Sequence, residues 1–296
     1  MSPPEPLTLR ANELDHALLV WHPAADAPSR PPVFLVHGFM DAAGTWDAVA
    51  PRLAALGHTV YAPHMRGFGA APRVPAGAYY HFTDYVFDLA DMVDAVSPDA
   101  PVVVVGHSMG GTVVTLYAGA MPERVLGLAS LEGVGPPDNP MEIAPVRMRA
   151  WIDGVRKVRT QGHGAGTLTR EEALRRLSVH HASIDRGVLE GRLEHLVEPA
   201  GDAGEVRWRY DPLHRTTAPF PFFADVFAAY ARRVTCPVLF VGGGPLGFHP
   251  PDEEARVACF AQVERVELPD AGHMMHWTRP AELADRLVAF LSRVSG

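Results

Sequence analysis

Cysteine is nearly missing from this chain, with only Cys236 and Cys259 among 296 residues. Two isolated cysteines make neither a disulfide framework nor a metal site, and both read as small buried apolar residues. No apolar run approaches the ~20 residues of a membrane span. The opening Met1-Ser2-Pro3-Pro4-Glu5-Pro6 lacks the basic segment and apolar core of a signal peptide. A cytoplasmic protein with no membrane partner is the expectation. Basic charge is also short, with 26 Lys and Arg against 34 Asp and Glu and a net charge of −8. That balance argues against nucleic acid or an anionic lipid surface as a partner. The chain does have 47% hydrophobic residues, enough for one large core with an insertion.

Strand and helix patterns alternate. Strands are expected near Leu7–Arg10, His16–Trp21, Val33–Val36, Thr59–Ala62, Val102–Val105, Leu126–Leu131, Pro237–Val241 and Val263–Leu268. Helices are expected near Trp46–Leu56, Asp84–Val96, Met109–Ala120 and Pro280–Arg293. This rhythm predicts an α/β fold, a mostly parallel twisted sheet with helices on both faces and a site beyond the strands' carboxyl ends. Between Gly135 and about Arg233 the strand pattern stops and helical patterns remain, one opening at the capping box Thr169-Arg170-Glu171-Glu172. The expected division is a core of residues 1–135 and 234–296 with a helical cap of 136–233. Asp84, Asp88 and Asp91, at helical spacing, read as a solvent face, and His180-His181 as another rather than a metal pair.

Gly106-His107-Ser108-Met109-Gly110 sits between an apolar strand and a helix. A G-x-S-x-G in that position is a nucleophile elbow, whose glycines allow a turn too sharp for side chains and lift Ser108 above the sheet edge. His273, in Leu268-Pro269-Asp270-Ala271-Gly272-His273, follows the last strand. It is the candidate general base, because histidine changes charge near neutral pH. For each of the fourteen other histidines the reading as an ordinary polar residue stays open, and His276 is assigned to packing or pocket lining.

The elbow, the His-Gly at Pro32-Val33-Phe34-Leu35-Val36-His37-Gly38-Phe39 and the histidine after the last strand together resemble the α/β-hydrolase superfamily. The resemblance covers both ends of the chain and excludes the middle third. It implies an oxyanion hole made by the amides of Phe39 and Met109, with His37 fixing the loop. It also implies an acid after the strand ending Val241-Gly242-Gly243, but Gly244 stands there. The acid must then come from another strand end, as in the haloalkane dehalogenase branch. Glu132, after Val125–Leu131, is chosen over Asp252, which reads as a helix cap in Pro250-Pro251-Asp252. Leu131-Glu132-Gly133-Val134-Gly135-Pro136-Pro137 is similar to the serine hydrolase-like branch.

The expected activity is hydrolysis of a small-molecule carboxylic ester by Ser108, His273 and Glu132, with no cofactor and no metal. Trp208, Phe223 and His107 are expected to contact substrate. Carbon–carbon hydrolysis of a diketone uses the same triad and remains an alternative, as does a ligand-binding protein without activity.

Overall fold

The computed structural model describes residues 3–160, 166–201 and 204–295. In chain order the first half comprises β1 (Glu5–Ala11), β2 (Leu14–Trp21), β3 (Arg30–Val36), α1 (Ala50–Ala54), β4 (His58–Pro63), α2 (Phe82–Val96), β5 (Val102–His107), α3 (Met109–Ala120) and β6 (Val125–Leu131). Then follow α4 (Ala144–Thr160), β7 (Leu168–Thr169), α5 (Arg170–His180), α6 (Arg186–Leu196), β8 (Val197–Pro199), β9 (Glu205–Trp208) and α7 (Ala224–Ala231). The chain closes with β10 (Val238–Gly242), α8 (Glu253–Val257), β11 (Val263–Glu267), α9 (Met275–Thr278) and α10 (Pro280–Val294).

Eight strands form one sheet in the order β1-β2-β4-β3-β5-β6-β10-β11. Neighbours from β4 to β11 pair in parallel, and β2 pairs antiparallel with β1 and β4. The central strands are continuous apolar runs because both faces are covered. Alternate residues then divide by face, as the two-residue pleat requires. Phe34, Val36, Val102, Val104 and Leu128 join a cluster with α2, α3 and α7. Val33, Leu35, Val103, Val105 and Ala129 join one with α1 and α10.

The strand expectations match these elements within a few residues. The helix expected from Trp46 does not form as one piece: a 3-10 turn covers Ala43–Trp46, and α1 spans only Ala50–Ala54. The inserted segment is not purely helical either, since β7, β9 and β8 form a small antiparallel sheet. Strands of two to four residues are too short to show periodicity. Thr169 does cap α5, its hydroxyl accepting from the Glu172 amide at 3.2 Å. α7, placed with the cap by sequence, belongs by packing to the core layer: Phe227 and Ala231 join the α2–α3 cluster. The Asp84–Asp88–Asp91 face is also not simply solvated. Asp88 is fully buried, accepting from Asn12 at 2.8 Å and Arg66 Nε at 2.9 Å, and Asp91 accepts the Asn12 amide at 2.8 Å. A buried carboxylate persists only when its oxygens are satisfied in this way.

The remaining cap residues have their own core. Leu174, Leu177, Leu189, Leu193 and Val206 pack with Ala42, Met274 and Trp277. The cap is thereby seated on the loop that carries His273.

Candidate active site

Ser108 joins β5 to α3 with φ 52° and ψ −116°, a conformation that non-glycine residues avoid. Such strain costs on the order of 1–3 kcal/mol and persists because the surroundings enforce it. Added methyls show how tight the turn is. A Cβ on Gly106 would lie 2.3 Å from the Gly110 carbonyl oxygen, and one on Gly110 would lie 2.2 Å from that of Val36. The Ser108 amide donates to Leu131 O at 2.9 Å, locking the elbow to the end of β6.

The loop of Gly38 and Phe39 lies directly against this turn. A Cβ on Gly38 would be 2.7 Å from His107 Nδ1 and 3.2 Å from Ser108 Cβ. His37 holds the loop, its Nδ1 donating to Gly38 O at 2.8 Å and its Nε2 accepting from the Met65 amide at 3.0 Å. Burial lowers the His37 pKa, so the ring is neutral. Met109 begins α3, where the first amides have no acceptor within the helix and the dipole favours negative charge. The Phe39 side chain is half exposed and leans on Phe68 and His214. Burial holds His214 down at about 4, which leaves this wall neutral and aromatic.

Glu132, the residue after β6, is also left-handed, with φ 47°. Its side chain is fully buried and meets three donors. Oε2 accepts from His273 Nδ1 at 2.6 Å and from the Phe248 amide at 2.7 Å, and Oε1 accepts from the Gly243 amide at 2.6 Å. Residues 243–249, where the resemblance places the usual acid, instead form a backbone cradle around a carboxylate from another strand. Glycine is required there for space. A Cβ on Gly243 would stand 2.8 Å from Glu132 Oε1, and one on Gly247 2.0 Å from it.

His273 is tied to the elbow through its neighbour. His107 Nε2 donates to His273 O at 2.8 Å, and the two rings lie 4.7 Å apart. His107, expected to contact substrate, is 1% exposed and lies beneath Gly38, so it supports both loops rather than lining the opening. Trp208 ends β9, stacks on Tyr210 and packs on the cap cluster, and Phe223 is half-buried before α7. Neither is brought to the Glu132–His273 pair.

Asp252 stands at the start of α8 but makes no side-chain cap. Its Oδ2 accepts from Arg256 Nε at 2.8 Å, while Arg256 Nη1 donates to the carbonyls of Val134, Gly135 and Pro136. Asp252 is thus spent on an arginine that clamps the loop after Glu132, and His273 is paired with Glu132.

Sequence reasoning missed a buried pair behind the Gly38–Phe39 loop. His276 Nε2 donates to Asp41 Oδ2 at 2.8 Å, and Asp41 Oδ1 also accepts from the Ala42 amide and the Thr45 hydroxyl. Burial opposes ionisation of Asp41, but His276 holds its pKa below the usual carboxylate value. The signal was Asp41 three residues beyond Gly38 and His276 three beyond His273. Asp41, His107 and His276 offer ligand atoms within 4.8 Å of one another, but the Asp41–His276 hydrogen bond already occupies that carboxylate.

A family model described as alpha/beta hydrolase fold matches residues 31–171. The chain is 30% identical over 122 residues to a serine hydrolase-like protein of Dictyostelium discoideum, a match spanning 41% of this chain and 33% of that relative. It is 26% identical over 309 residues to epoxide hydrolase A of Mycobacterium tuberculosis, covering 90% and 92% of the two chains. Among solved structures, a hypothetical protein of Pseudomonas aeruginosa PAO1 superposes with TM-score 0.82 at 25% identity, over 98% of this chain and 100% of that one. Among the described residues no helix is long and apolar enough to cross a membrane. Sheet order, elbow, family model and relatives agree in the α/β-hydrolase fold and support an α/β-hydrolase superfamily member.

Proposed function

We propose that this protein is a serine hydrolase that cleaves a carboxylic ester through an acyl-enzyme. The observation that carries the reading is the buried Glu132 carboxylate bonded at 2.6 Å to His273 Nδ1, on a loop anchored to the Ser108 elbow. With Nδ1–H committed to Glu132, the basic lone pair of His273 resides on Nε2. His273 takes the Ser108 proton as Oγ attacks the ester carbonyl, and the amides of Phe39 and Met109 receive the oxyanion. The imidazolium returns its proton to the leaving alcohol. Water, deprotonated by the same histidine, then releases the acid and restores Ser108. The scheme calls on no cofactor, and no partner other than the small-molecule ester.

Serine as nucleophile separates this reading from epoxide opening. Attack of a hydroxyl on an epoxide would leave an ether that water does not cleave, whereas an acyl ester turns over. The neutral walls of Phe39, Phe68 and His214 and the exposed Leu246 and Phe248 beside His273 favour an apolar ester group.

The test is a series of p-nitrophenyl esters of increasing acyl length, assayed beside a diketone. Ester turnover that disappears in Ser108→Ala is the expected result. Diketone cleavage without ester cleavage, or no turnover at all, would overturn the proposal. On the acid side kcat/KM should rise with pH, since the base must be neutral to accept a proton. Gly247→Ala is a second check. Its methyl would displace Glu132 Oε1, and kcat should fall on the order of 10²-fold, as catalytic misplacements of about 1 Å do, with melting temperature recorded in parallel.

A further inference from the structure

His249 plays no part in the scheme above, yet it lies 3.8 Å from Glu132 Oε1. Both of its ring nitrogens face oxygen. Nε2 is 2.8 Å from Gly244 O and Nδ1 is 2.8 Å from Glu253 Oε2. A backbone carbonyl only accepts hydrogen bonds. The Glu253 carboxylate is also an acceptor, its other oxygen holding Arg265 Nη2 at 2.7 Å. A neutral imidazole has one N–H and can satisfy only one of the two contacts, whereas the imidazolium satisfies both.

We propose that His249 is a positioning residue which, as an imidazolium, fastens the 243–249 cradle around Glu132 and so sets an alkaline limit on activity. This deepens the serine-hydrolase reading and rests on it. The segment spanned by the His249–Gly244 bond contains Leu246, whose carbonyl accepts the His273 amide at 3.3 Å, and Phe248, whose amide holds Glu132 Oε2. Loss of one proton sets a nitrogen lone pair against an oxygen at 2.8 Å, and the segment must shift. It also removes a positive charge 3.8 Å from Glu132 Oε1, on the carboxylate that His273 needs held in place.

The charged surroundings agree with this assignment. Glu253 faces the ring from α8 and Glu132 from the end of β6. On β11, Arg265 lies beyond Glu253, where it also pairs with Glu254 and Glu267, and the Glu267 Oε2 is 3.4 Å from the Gly244 amide. His273 lies on the far side of Glu132. The bond to Gly244 O, then Glu253 and the charge on Glu132, raise the His249 pKa above the usual histidine value. A raised pKa means that the contribution is full at low pH and is lost as pH rises through the folded-state value.

The experiment compares kcat/KM across acid to alkaline pH for the wild type, His249→Gln and Glu253→Gln on one p-nitrophenyl ester. Imidazole signals of His249 are followed by NMR over the same range. The wild type should show an alkaline fall as well as the acid rise. In His249→Gln, whose amide donates to Gly244 O at every pH, the alkaline limb should vanish while kcat/KM at the optimum drops about five- to tenfold, as loss of one charge-assisted hydrogen bond allows. Glu253→Gln should move the limb to lower pH. An alkaline plateau in the wild type, a limb that survives His249→Gln, or a His249 that titrates at or below the ordinary histidine value would overturn the proposal. The NMR titration needs no turnover. It therefore distinguishes failure of the cradle from failure of the ester-hydrolase reading, and in Glu132→Gln the His249 pKa should fall.

Discussion

Ser108→Ala should lower kcat on the order of 10⁶-fold, as loss of a triad nucleophile does, and should abolish labelling by a fluorophosphonate. The elbow puts Ser108 in the turn between β5 and α3, and its neighbour His107 ties that turn to the loop bearing His273. Alanine keeps the φ of 52° and its strain, so the fold should survive with the activity gone. Ser108→Gly supplies a further reading, because glycine tolerates that backbone. It should be equally inactive yet melt no lower than Ser108→Ala. Intact-mass spectrometry after labelling, with melting curves for both variants, provides the check. Undiminished labelling of Ser108→Ala would show that another nucleophile is being modified.

What could be read from the sequence depended on how local its cause was. The valines of β5 form a continuous run because the strand is buried on both faces, and Gly106 and Gly110 are dictated by contacts within the elbow and with Val36. Glu132 was reachable because Gly244 left the usual acid position empty. The structure adds the reason glycine is needed there: φ is +69°, and a Cβ would stand 2.3 Å from Pro269 O. Features set by distant partners were not legible. Asp88 lies on a polar stripe of α2, and only Asn12, 76 positions earlier, together with Arg66 makes that stripe a buried one. Asp41 and His276 are 235 positions apart, so their places beside Gly38 and His273 mark each as near the site but do not announce the pair. Helical spacing shows which residues share a face, but not what covers it. For the same reason α7 looked like cap, although Phe227 faces the core.

Glu132→Gln should lower kcat by about 10³- to 10⁴-fold, the loss expected when a triad carboxylate becomes an amide. Three N–H donors converge on the two oxygens of Glu132. A glutamine can turn its oxygen to His273 and Phe248, but its NH₂ then faces the Gly243 amide, donor against donor. Leaving a buried donor unsatisfied costs about 1–3 kcal/mol, so the variant should also melt lower. In the proposed mechanism catalysis suffers beyond geometry, because a neutral amide cannot stabilise the imidazolium that forms when His273 takes the Ser108 proton. Asp252→Asn should do the reverse, changing kcat little while lowering stability, because it weakens the grip on Arg256 and through it the carbonyls of residues 134–136. Gly244→Asp added to Glu132→Gln should restore nothing, since the left-handed backbone and the Pro269 carbonyl exclude a side chain at that position. Steady-state kinetics and melting curves of the three variants settle the assignment. A nearly active Glu132→Gln beside an inactive Asp252→Asn would transfer the acid to Asp252. Recovery in the double variant would show that the 243–249 segment still accepts the acid at the position where other branches carry it, and that its present shape follows from Glu132 rather than from its own backbone.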